Sequence, residues 1–293
     1  PPSILLGLYL ARKGDDDAAL AAFRRATEKD AASSAAWSAR ATAETRLRDY
    51  DAAIASLTKA RQLPASKTDA LRSGQSLGRL LARSGRTDAA LATWNDLASA
   101  NPDDDGLIED IMELQIDEGL FDAALASANR LLALRNDPYQ KLLVRLRLGD
   151  ILARNNDRDK ALETWLACLH DTGISSWLEK EILSQIDRLF RLSSDLAGLR
   201  QVLERELSAT PLRPAVHRTA AAIMAETGDR PAAIATLRRL IDLTPGDRAV
   251  REETAELLRA SDQPAEALAI MEALLTQYPD DQELRLRLVS LRD

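Results

Sequence analysis

Apolar residues follow a helical spacing along the 293-residue chain, in short stretches that polar residues, glycine and proline interrupt at regular distances. In eight stretches a small residue is followed four positions later by a second residue, so that both lie on one face of a helix. The pairs are Ala19/Phe23, Ala53/Leu57, Ala90/Trp94, Ala124/Ala128, Ala161/Trp165, Gly198/Val202, Ala233/Leu237 and Ala267/Met271. Only Ala128 is not larger than its partner, and the first members lie 34 to 37 residues apart. This spacing predicts eight copies of one helical repeat.

Proline and glycine recur with the same period and divide each repeat into two helices. Proline lacks the N–H and clashes with the preceding turn, so it marks helix boundaries. The periodic prolines are Pro64, Pro102, Pro138, Pro211, Pro245 and Pro279. The turn between the two helices of a repeat favours a residue in the left-handed conformation. Four of these turns contain glycine, at Gly14, Gly85, Gly119 and Gly228. Inside first helices, 71 residues apart, stand Gly7, Gly78 and Gly149. Glycine there costs about 1 kcal/mol relative to alanine, which indicates close approach of two helices.

The first helices carry a second recurring pattern. It consists of Leu6-Gly7 with Leu10, Trp37 with Ala41, Leu77-Gly78 with Leu81, and Leu148-Gly149 with Leu152. Together with the second-helix pairs, this resembles the tetratricopeptide repeat, which reads W-x2-L-G-x2-Y, then A-x3-F, then P. The resemblance implies an all-α fold: a right-handed α-α superhelix, or solenoid, of about eight helix-turn-helix repeats plus a C-terminal helix. Each repeat would bury its apolar face only against its neighbours.

We expect one domain over residues 1–293, as part of a longer protein, because the chain begins Pro1-Pro2 without Met. The expected repeats are 1–33, 34–70, 71–104, 105–141, 142–178, 179–213, 214–247 and 248–280, followed by a terminal helix over 281–293. The sixth repeat, near 175–211, departs most from the pattern. It lacks the turn glycine and follows a three-residue extension. Its small residue is Gly198; the first, small members of the eight pairs are called the small column below, and the second members the large column. These departures predict altered local geometry.

Composition excludes several classes of function. Aromatic residues make up only 4% of the chain, which fits a thin core of alanine spacers better than two globular cores. The net charge of −7 disfavours a nucleic-acid partner, which requires excess Lys and Arg. No apolar stretch reaches the roughly 20 residues needed to insert in a membrane. One cysteine rules out a disulfide framework. The 32 arginines against 7 lysines suggest a GC-rich bacterial genome, and the compartment cannot be inferred.

Two motifs suggest catalysis or metal binding, but their context argues against both. Gly74-Gln75-Ser76-Leu77-Gly78 satisfies G-x-S-x-G, yet a nucleophile elbow needs a strand-to-helix turn and Ser76 falls inside a predicted helix. The run from Asn101 to Gly106 resembles the start of an EF-hand loop, but Met112 stands where the bidentate Glu is required. We expect acidic residues in this run to cap the next helix instead.

The remaining candidate chemical groups are few. His217 occupies the position of the tryptophan in the repeat pattern, so we expect it to be packed in the core. His170 lies at the end of a helix whose C-terminal dipole favours a cation. Cys168 falls in an apolar column and is expected to be buried. The run Asp15 to Asp17 is expected to cap a helix. We therefore expect no catalytic residue, no cofactor and no metal, and a protein that is not an enzyme.

Function is expected on the concave face that first helices line in the tetratricopeptide family. The charged residues projected onto this face are Arg46, Arg72, Arg79, Arg83, Glu109, Glu113, Asp117, Asp150, Arg154, Asp187 and Arg191. Arg72, Arg79 and Arg83 form one basic stripe, and the fourth repeat presents an acidic one. Two interpretations stay open: the stripes dock a partner of mixed charge, or neighbouring helices neutralise each other.

The leading hypothesis is a non-catalytic scaffold that binds a peptide or partner protein on this face. The alternative is a substrate-recruiting arm of an enzyme whose catalytic domain lies outside the chain. RNA recognition by the basic stripe is a third hypothesis, which the net charge disfavours. The first helix is apolar all round, and an end repeat should have a polar outer face. It therefore predicts either an upstream repeat that covers it or end-to-end self-association through Ile4 and Leu8.

Overall fold

In a computed structural model, which describes residues 2–171 and 174–292, the described chain forms seventeen α-helices and no strand. They are α1 (Pro2–Arg12), α2 (Asp16–Lys29), α3 (Ser34–Arg46), α4 (Tyr50–Arg61), α5 (Lys67–Arg83), α6 (Thr87–Ala100), α7 (Asp105–Asp117), α8 (Phe121–Leu134), α9 (Pro138–Arg154), α10 (Arg158–Leu169), α11 (Ser176–Leu192), α12 (Leu196–Ala209), α13 (Pro214–Glu226), α14 (Arg230–Leu243), α15 (Arg248–Arg259), α16 (Pro264–Gln277) and α17 (Gln282–Arg292). This is the expected all-α class of helical-repeat superhelices, with eight successive helix pairs and a terminal helix.

Every pair turns through one residue with positive φ. Four of these residues are the predicted turn glycines, Gly14, Gly85, Gly119 and Gly228, at φ 74° to 88°. In the other four turns, side-chain-bearing residues take the left-handed conformation: Arg48, Asn156, Ser194 and Asp262, at φ 55° to 64°. The turn geometry is therefore common to all eight pairs, although glycine supplies it in only half of them.

Most helices begin at an Asp or Ser whose side chain accepts a backbone N–H from the first turn, as N-caps do. Asp15, for example, accepts from Ala18 N at 3.0 Å, and Asp104 accepts from Leu107 N at 3.0 Å. Both expectations of capping are thus confirmed, for the Asp15 run and for the acidic run before α7.

The chain divides into two compact bodies, Pro1–Asp157 and Arg158–Asp293, here called the N-terminal and C-terminal bodies. In the N-terminal body each helix from α1 to α8 packs against the next helix along the chain. The first helices α1, α3, α5 and α7 also contact one another in order. In the C-terminal body α10 to α17 pack in the same consecutive order, and α11 also contacts α13. A single domain over residues 1–293 stays a prediction.

The core follows the small and large columns of the sequence. The alanines of the small column, such as Ala53, Ala90 and Ala233, are fully buried, and Phe23 and Trp94 are 2% and 0% exposed. A Cβ at Gly7 would lie 2.4 Å from the Phe23 ring, and one at Gly78 would lie 2.2 Å from Trp94 Nε1. Close approach of the two helices at Gly7 and Gly78 is therefore confirmed.

The sixth repeat corrects the predicted column by one residue. In α14, the buried Ala233 lies four positions after the N-cap Asp229, and in α12 the equivalent position after Asp195 is Leu199. Leu199 and Leu203 are 0% and 1% exposed, so the pair Gly198/Val202 was wrong. Gly198 instead donates its N–H to the Asp195 cap at 2.8 Å. Leucine replaces alanine where two helices meet, and α11 and α12 approach less closely than α13 and α14.

Three predicted repeat boundaries are also wrong. The boundaries 70/71, 141/142 and 178/179 fall inside α5, α9 and α11, which are each 17 residues long. The longer repeats place their additional residues in the N-terminal turn of the first helix, after caps at Ser66, Asp137 and Ser175. Of the expected extension before the sixth repeat, residues 172 and 173 lie outside the described chain. The terminal helix begins at Gln282, close to the expected position.

Candidate partner-binding groove

The first helices of the N-terminal body enclose a groove of about 860 Å³, lined by residues of α1, α3, α5 and α7 and by Leu57 of α4. Its floor is α3, which presents small side chains because positions one turn apart are Ala35, Ser38, Ala39 and Thr42. On one side Ile4 and Leu8 of α1 form an apolar wall. On the other side α5 forms a polar wall. The groove therefore lies on the face lined by first helices, where we expected a partner protein to bind.

The polar wall contains the predicted basic stripe. Arg46, Arg72, Arg79 and Arg83 all line the groove. Arg72 has a 73% exposed side chain and its nearest acidic group, Asp69 Oδ1, lies 3.6 Å away in its own helix. Arg79 Nη2 donates to Asp117 Oδ2 at 3.4 Å, and Arg83 Nε donates to Glu118 Oε1 at 2.9 Å. Arg46 Nη1 donates to the Ala11 carbonyl at 3.0 Å and to Asp16 at 3.2 Å.

The predicted acidic stripe on α7 is largely bound to arginines of neighbouring helices. Glu113 accepts two hydrogen bonds from Arg147 of α9, which raises the pKa of Arg147 above its usual range. Asp117 accepts from Arg79, and Glu109 accepts from Arg135. Of the three carboxylates, only Glu113 lines the groove. The two stripes are thus not independent surfaces, because α5, α7 and α9 neutralise one another in turn.

The four remaining predicted site residues do not line the groove. Asp150 Oδ2 lies 3.7 Å from Arg147 Nη1. The guanidinium of Arg154 lies 5.1 Å from the ring centre of Phe121. In the C-terminal body, Arg191 binds Asp187 one turn away and both oxygens of Glu226, at 2.8 and 2.7 Å. This contact lowers the pKa of Glu226. Arg191 thereby joins the first helices α11 and α13.

Many of these ion pairs join positions one repeat apart. The partners in Arg83–Glu118, Arg191–Glu226, Arg218–Glu253 and Arg287–Glu252 are 35 residues apart, and those in Glu113–Arg147 are 34 apart. Neighbouring first helices therefore carry opposite charges at positions about one repeat apart. Sequence reasoning missed Glu118, Arg147 and Glu226, although opposite charges at the repeat spacing are visible in the sequence.

The residues that were candidates for catalysis or metal binding are placed by the fold as follows. Ser76 lies within α5 and Gly78 contacts Trp94, so the helical context expected for G-x-S-x-G is confirmed. Cys168 is fully buried. His170 Nε2 lies 2.7 Å from Glu206 Oε2. Within the described ranges, no group of three or more His, Cys, Asp and Glu side chains is placed to hold a metal ion.

His217 is packed in the core as expected, with 3% of its surface exposed. Its Nε2 lies 2.9 Å from the carbonyl of Pro211, and since a carbonyl only accepts, Nε2 carries the proton. Trp37 donates to the carbonyl of Ala31 at 3.0 Å from the equivalent position of α3. In both cases a ring N–H bonds to a carbonyl six residues earlier, in the loop before the helix. The histidine thus replaces tryptophan in a structural role.

Helix α1 leaves apolar side chains uncovered. Leu5, Leu6, Leu8 and Tyr9 are 49% to 69% exposed, while Ile4 and Leu8 line the groove. End-to-end association through Ile4 and Leu8 stays a prediction. None of the helices in residues 2–171 and 174–292 combines the length and apolar character needed to span a bilayer.

Family models of the tetratricopeptide repeat match residues 4–68 and 249–291. The comparison with curated proteins gives no significant match.

The structure is similar to several solved tetratricopeptide-repeat structures at low identity. One is a tetratricopeptide repeat protein from Parabacteroides merdae, at 16% identity and TM-score 0.47, covering 87% of this chain and 97% of that one. Another is the C-terminal part of a TPR repeat-containing protein from Cytophaga hutchinsonii, at 14% identity and TM-score 0.42, covering 96% and 97%. A third is MamA from Desulfovibrio magneticus, at 15% identity and TM-score 0.42, covering 57% and 91%.

The family matches fall at the two ends of the chain, on helix pairs that share the turn and column geometry described above. Residues 4–68 and 249–291 are therefore tetratricopeptide repeats, and repeats of this family support a role in protein–protein interaction.

Proposed function

We propose that the protein is a non-catalytic scaffold that binds a segment of a partner protein in the groove between α1, α3 and α5. The observation that supports this most directly is the groove itself, which is about 860 Å³ in volume and is lined by the first helices. A concave surface that combines apolar side chains with a few convergent polar groups is the default candidate for a binding site.

The surface composition of the groove supports a protein partner. Apolar Ile4 and Leu8 face arginine side chains across a floor of small residues. Arginine is enriched at protein interfaces, where its planar guanidinium forms hydrogen bonds in pairs. The cross-helix ion pairs of α7 hold the wall of the groove in place without partner binding, so binding need not order the scaffold first.

Two matched variants test the proposal. Ala35 and Ala55 both have exposed side chains and lie in the two helices of the same repeat. Ala35 lines the groove, whereas Ala55 does not. Ala35→Trp fills the groove, and Ala55→Trp adds the same side chain to the second helix.

Partners retained by each variant from native lysate are quantified by mass spectrometry, with melting curves to confirm folding. We expect a set of proteins that the wild type and Ala55→Trp retain and that Ala35→Trp loses. Identical sets on all three would show that the groove is not the binding site.

A further inference from the structure

The two walls of the groove differ in their capacity for new contacts. The α1 wall is apolar, and Leu8 is 52% exposed. The α5 wall and Arg46 carry guanidinium groups with many unused donors. The four groove arginines make four hydrogen bonds to described residues, whereas four guanidinium groups hold about twenty N–H donors.

The carboxylates of the groove, in contrast, already have donors. Asp69 accepts from Ser66 Oγ at 2.7 Å, and Asp110 accepts from Gln75 Nε2 at 3.0 Å. Glu113 accepts from two nitrogens of Arg147. The groove can thus accommodate additional acceptors more readily than additional donors. Side-chain carboxylates are the acceptors that pair best with guanidinium groups.

The width of the groove suits an α-helix. Helix α3 contacts α1 on one side and α5 on the other, and packed helices lie about 8–10 Å apart. The axes of α1 and α5 are therefore separated by roughly 16–20 Å at most. A helix that packs at 8–10 Å from the axes of α1, α3 and α5 needs the axes of α1 and α5 to be roughly 14–17 Å apart, which this limit allows. Small side chains on α3 allow such a helix to approach the floor closely.

We propose that the occupant of this groove is an amphipathic helix of a partner protein, with apolar residues toward Ile4 and Leu8 and acidic residues toward Arg72, Arg79 and Arg83. The proposal rests on the proposed function, because it names the partner chemistry of the same groove. Arg72 is the main new contact, since its side chain is 73% exposed and its ion pair with Asp69 is 3.6 Å long.

The test is selection of displayed 18-residue random peptides on the full chain. Parallel selections use wild type, Ala55→Trp, Ala35→Trp and Ser38→Trp, the last filling the groove one turn further along α3. We expect at least tenfold enrichment of common sequences on wild type and Ala55→Trp over both groove-filled variants. These sequences should carry apolar residues at i, i+3, i+4 and i+7 and a net negative charge.

The best peptide is then synthesised, and its affinity is measured against Arg72→Glu and Arg61→Glu. Arg61 is an exposed arginine at the end of α4, outside the groove. We expect Arg72→Glu to weaken binding at least fivefold and Arg61→Glu to change it less than twofold, and the bound peptide to be helical by circular dichroism.

Other outcomes overturn the proposal in distinguishable ways. Groove-dependent peptides that are basic, or that lack helical periodicity, would overturn the acidic helix and leave the groove as a binding site. A dimer of the wild type that Ala35→Trp abolishes would show that a second copy occupies the groove. Absence of any groove-dependent peptide would contradict both the helix and the proposed function.

Discussion

At the scale of single residues, the packing is decided where glycine or alanine of one helix meets a large side chain of the next. Gly78 and Trp94 form the clearest pair, with no room for a methyl group between them. The requirement could be inferred from sequence because Gly7 and Gly78 recur in phase with Phe23 and Trp94. The bond from His217 to its loop carbonyl could not be inferred, because it depends on a tautomer and on loop geometry that spacing does not encode.

Trp94→Ala should destabilise the N-terminal body by roughly 3–5 kcal/mol, because it removes a fully buried ring. Gly78→Ala should cost roughly 1–3 kcal/mol by overpacking, despite the higher helix propensity of alanine. Urea unfolding measures both changes. Gly246→Ala is the control, since a Cβ there meets nothing within 4 Å and φ is not positive. Unchanged stability of Gly78→Ala would mean that the two helices do not approach at that position.

At the scale of helices, the sequence predicts the number and order of elements because helix pairs share one period. It places three boundaries and one column incorrectly for related reasons. Longer repeats add residues within the first turn of α5, α9 and α11, where the sequence carries no proline or glycine signal except Pro138. In α12, Gly198 has the size expected of the small column, but the N-cap at Asp195 places Leu199 there instead.

The corrected column predicts that opposite exchanges of leucine and alanine destabilise two repeats for different reasons. Leu199→Ala should leave a cavity in the sixth repeat and cost roughly 2–5 kcal/mol. At the equivalent position, Ala233→Leu should cost roughly 1–3 kcal/mol, because α13 and α14 leave no space for the larger side chain. Thermal or urea unfolding of both variants checks the assignment. Unchanged stability of Leu199→Ala would contradict the corrected column.

Because Asp229 caps α14, the free energy of unfolding should decrease at acid pH. Its carboxylate binds Arg200 at 2.6 Å and accepts the N–H of Ala232, and these contacts lower its pKa below the ordinary value of 3.8. A lowered folded-state pKa means that the stabilisation is complete above the unfolded-state pKa and is lost as pH falls through the folded-state value.

Asp229→Asn keeps a cap acceptor but cannot titrate. We therefore expect its Tm to lie below that of the wild type at pH 7 and the difference to shrink as pH falls below about 4. Melting curves at several pH values measure this. A difference that stays constant down to pH 2 would show that the Arg200 contact does not stabilise the fold.

At the scale of the whole molecule, charges of adjacent first helices are matched at the repeat spacing. The sequence predicted that first helices carry the functional face, and the structure places five of the eleven predicted residues in one groove. Projecting one helix at a time could not predict which charged side chains remain available to a partner protein. Availability depends on partners about 35 residues away, which supply Asp117 and Glu118 to Arg79 and Arg83.

Charge exchange tests whether this matching stabilises contacts between repeats. Glu226→Arg places a second cation beside Arg191 and should lower the Tm. Arg191→Glu with Glu226→Arg restores an opposite pair and should recover part of the loss, because the new carboxylate at position 191 also faces Asp187. The deficit of the single variant should decrease in 1 M NaCl, where charges are screened within about 3 Å. A double variant no more stable than Glu226→Arg would contradict pairing across the repeat.

The most direct test of the account is photo-crosslinking from inside the groove. A benzophenone amino acid is placed at Ala35 in one variant and at Ala55 in another, and adducts formed in the native host are compared. The account predicts a protein adduct from position 35, absent from position 55 and absent after Ser38→Trp fills the groove. Adducts of equal yield at both positions, or adducts only at position 55, would contradict the claim that the groove is the partner-binding surface.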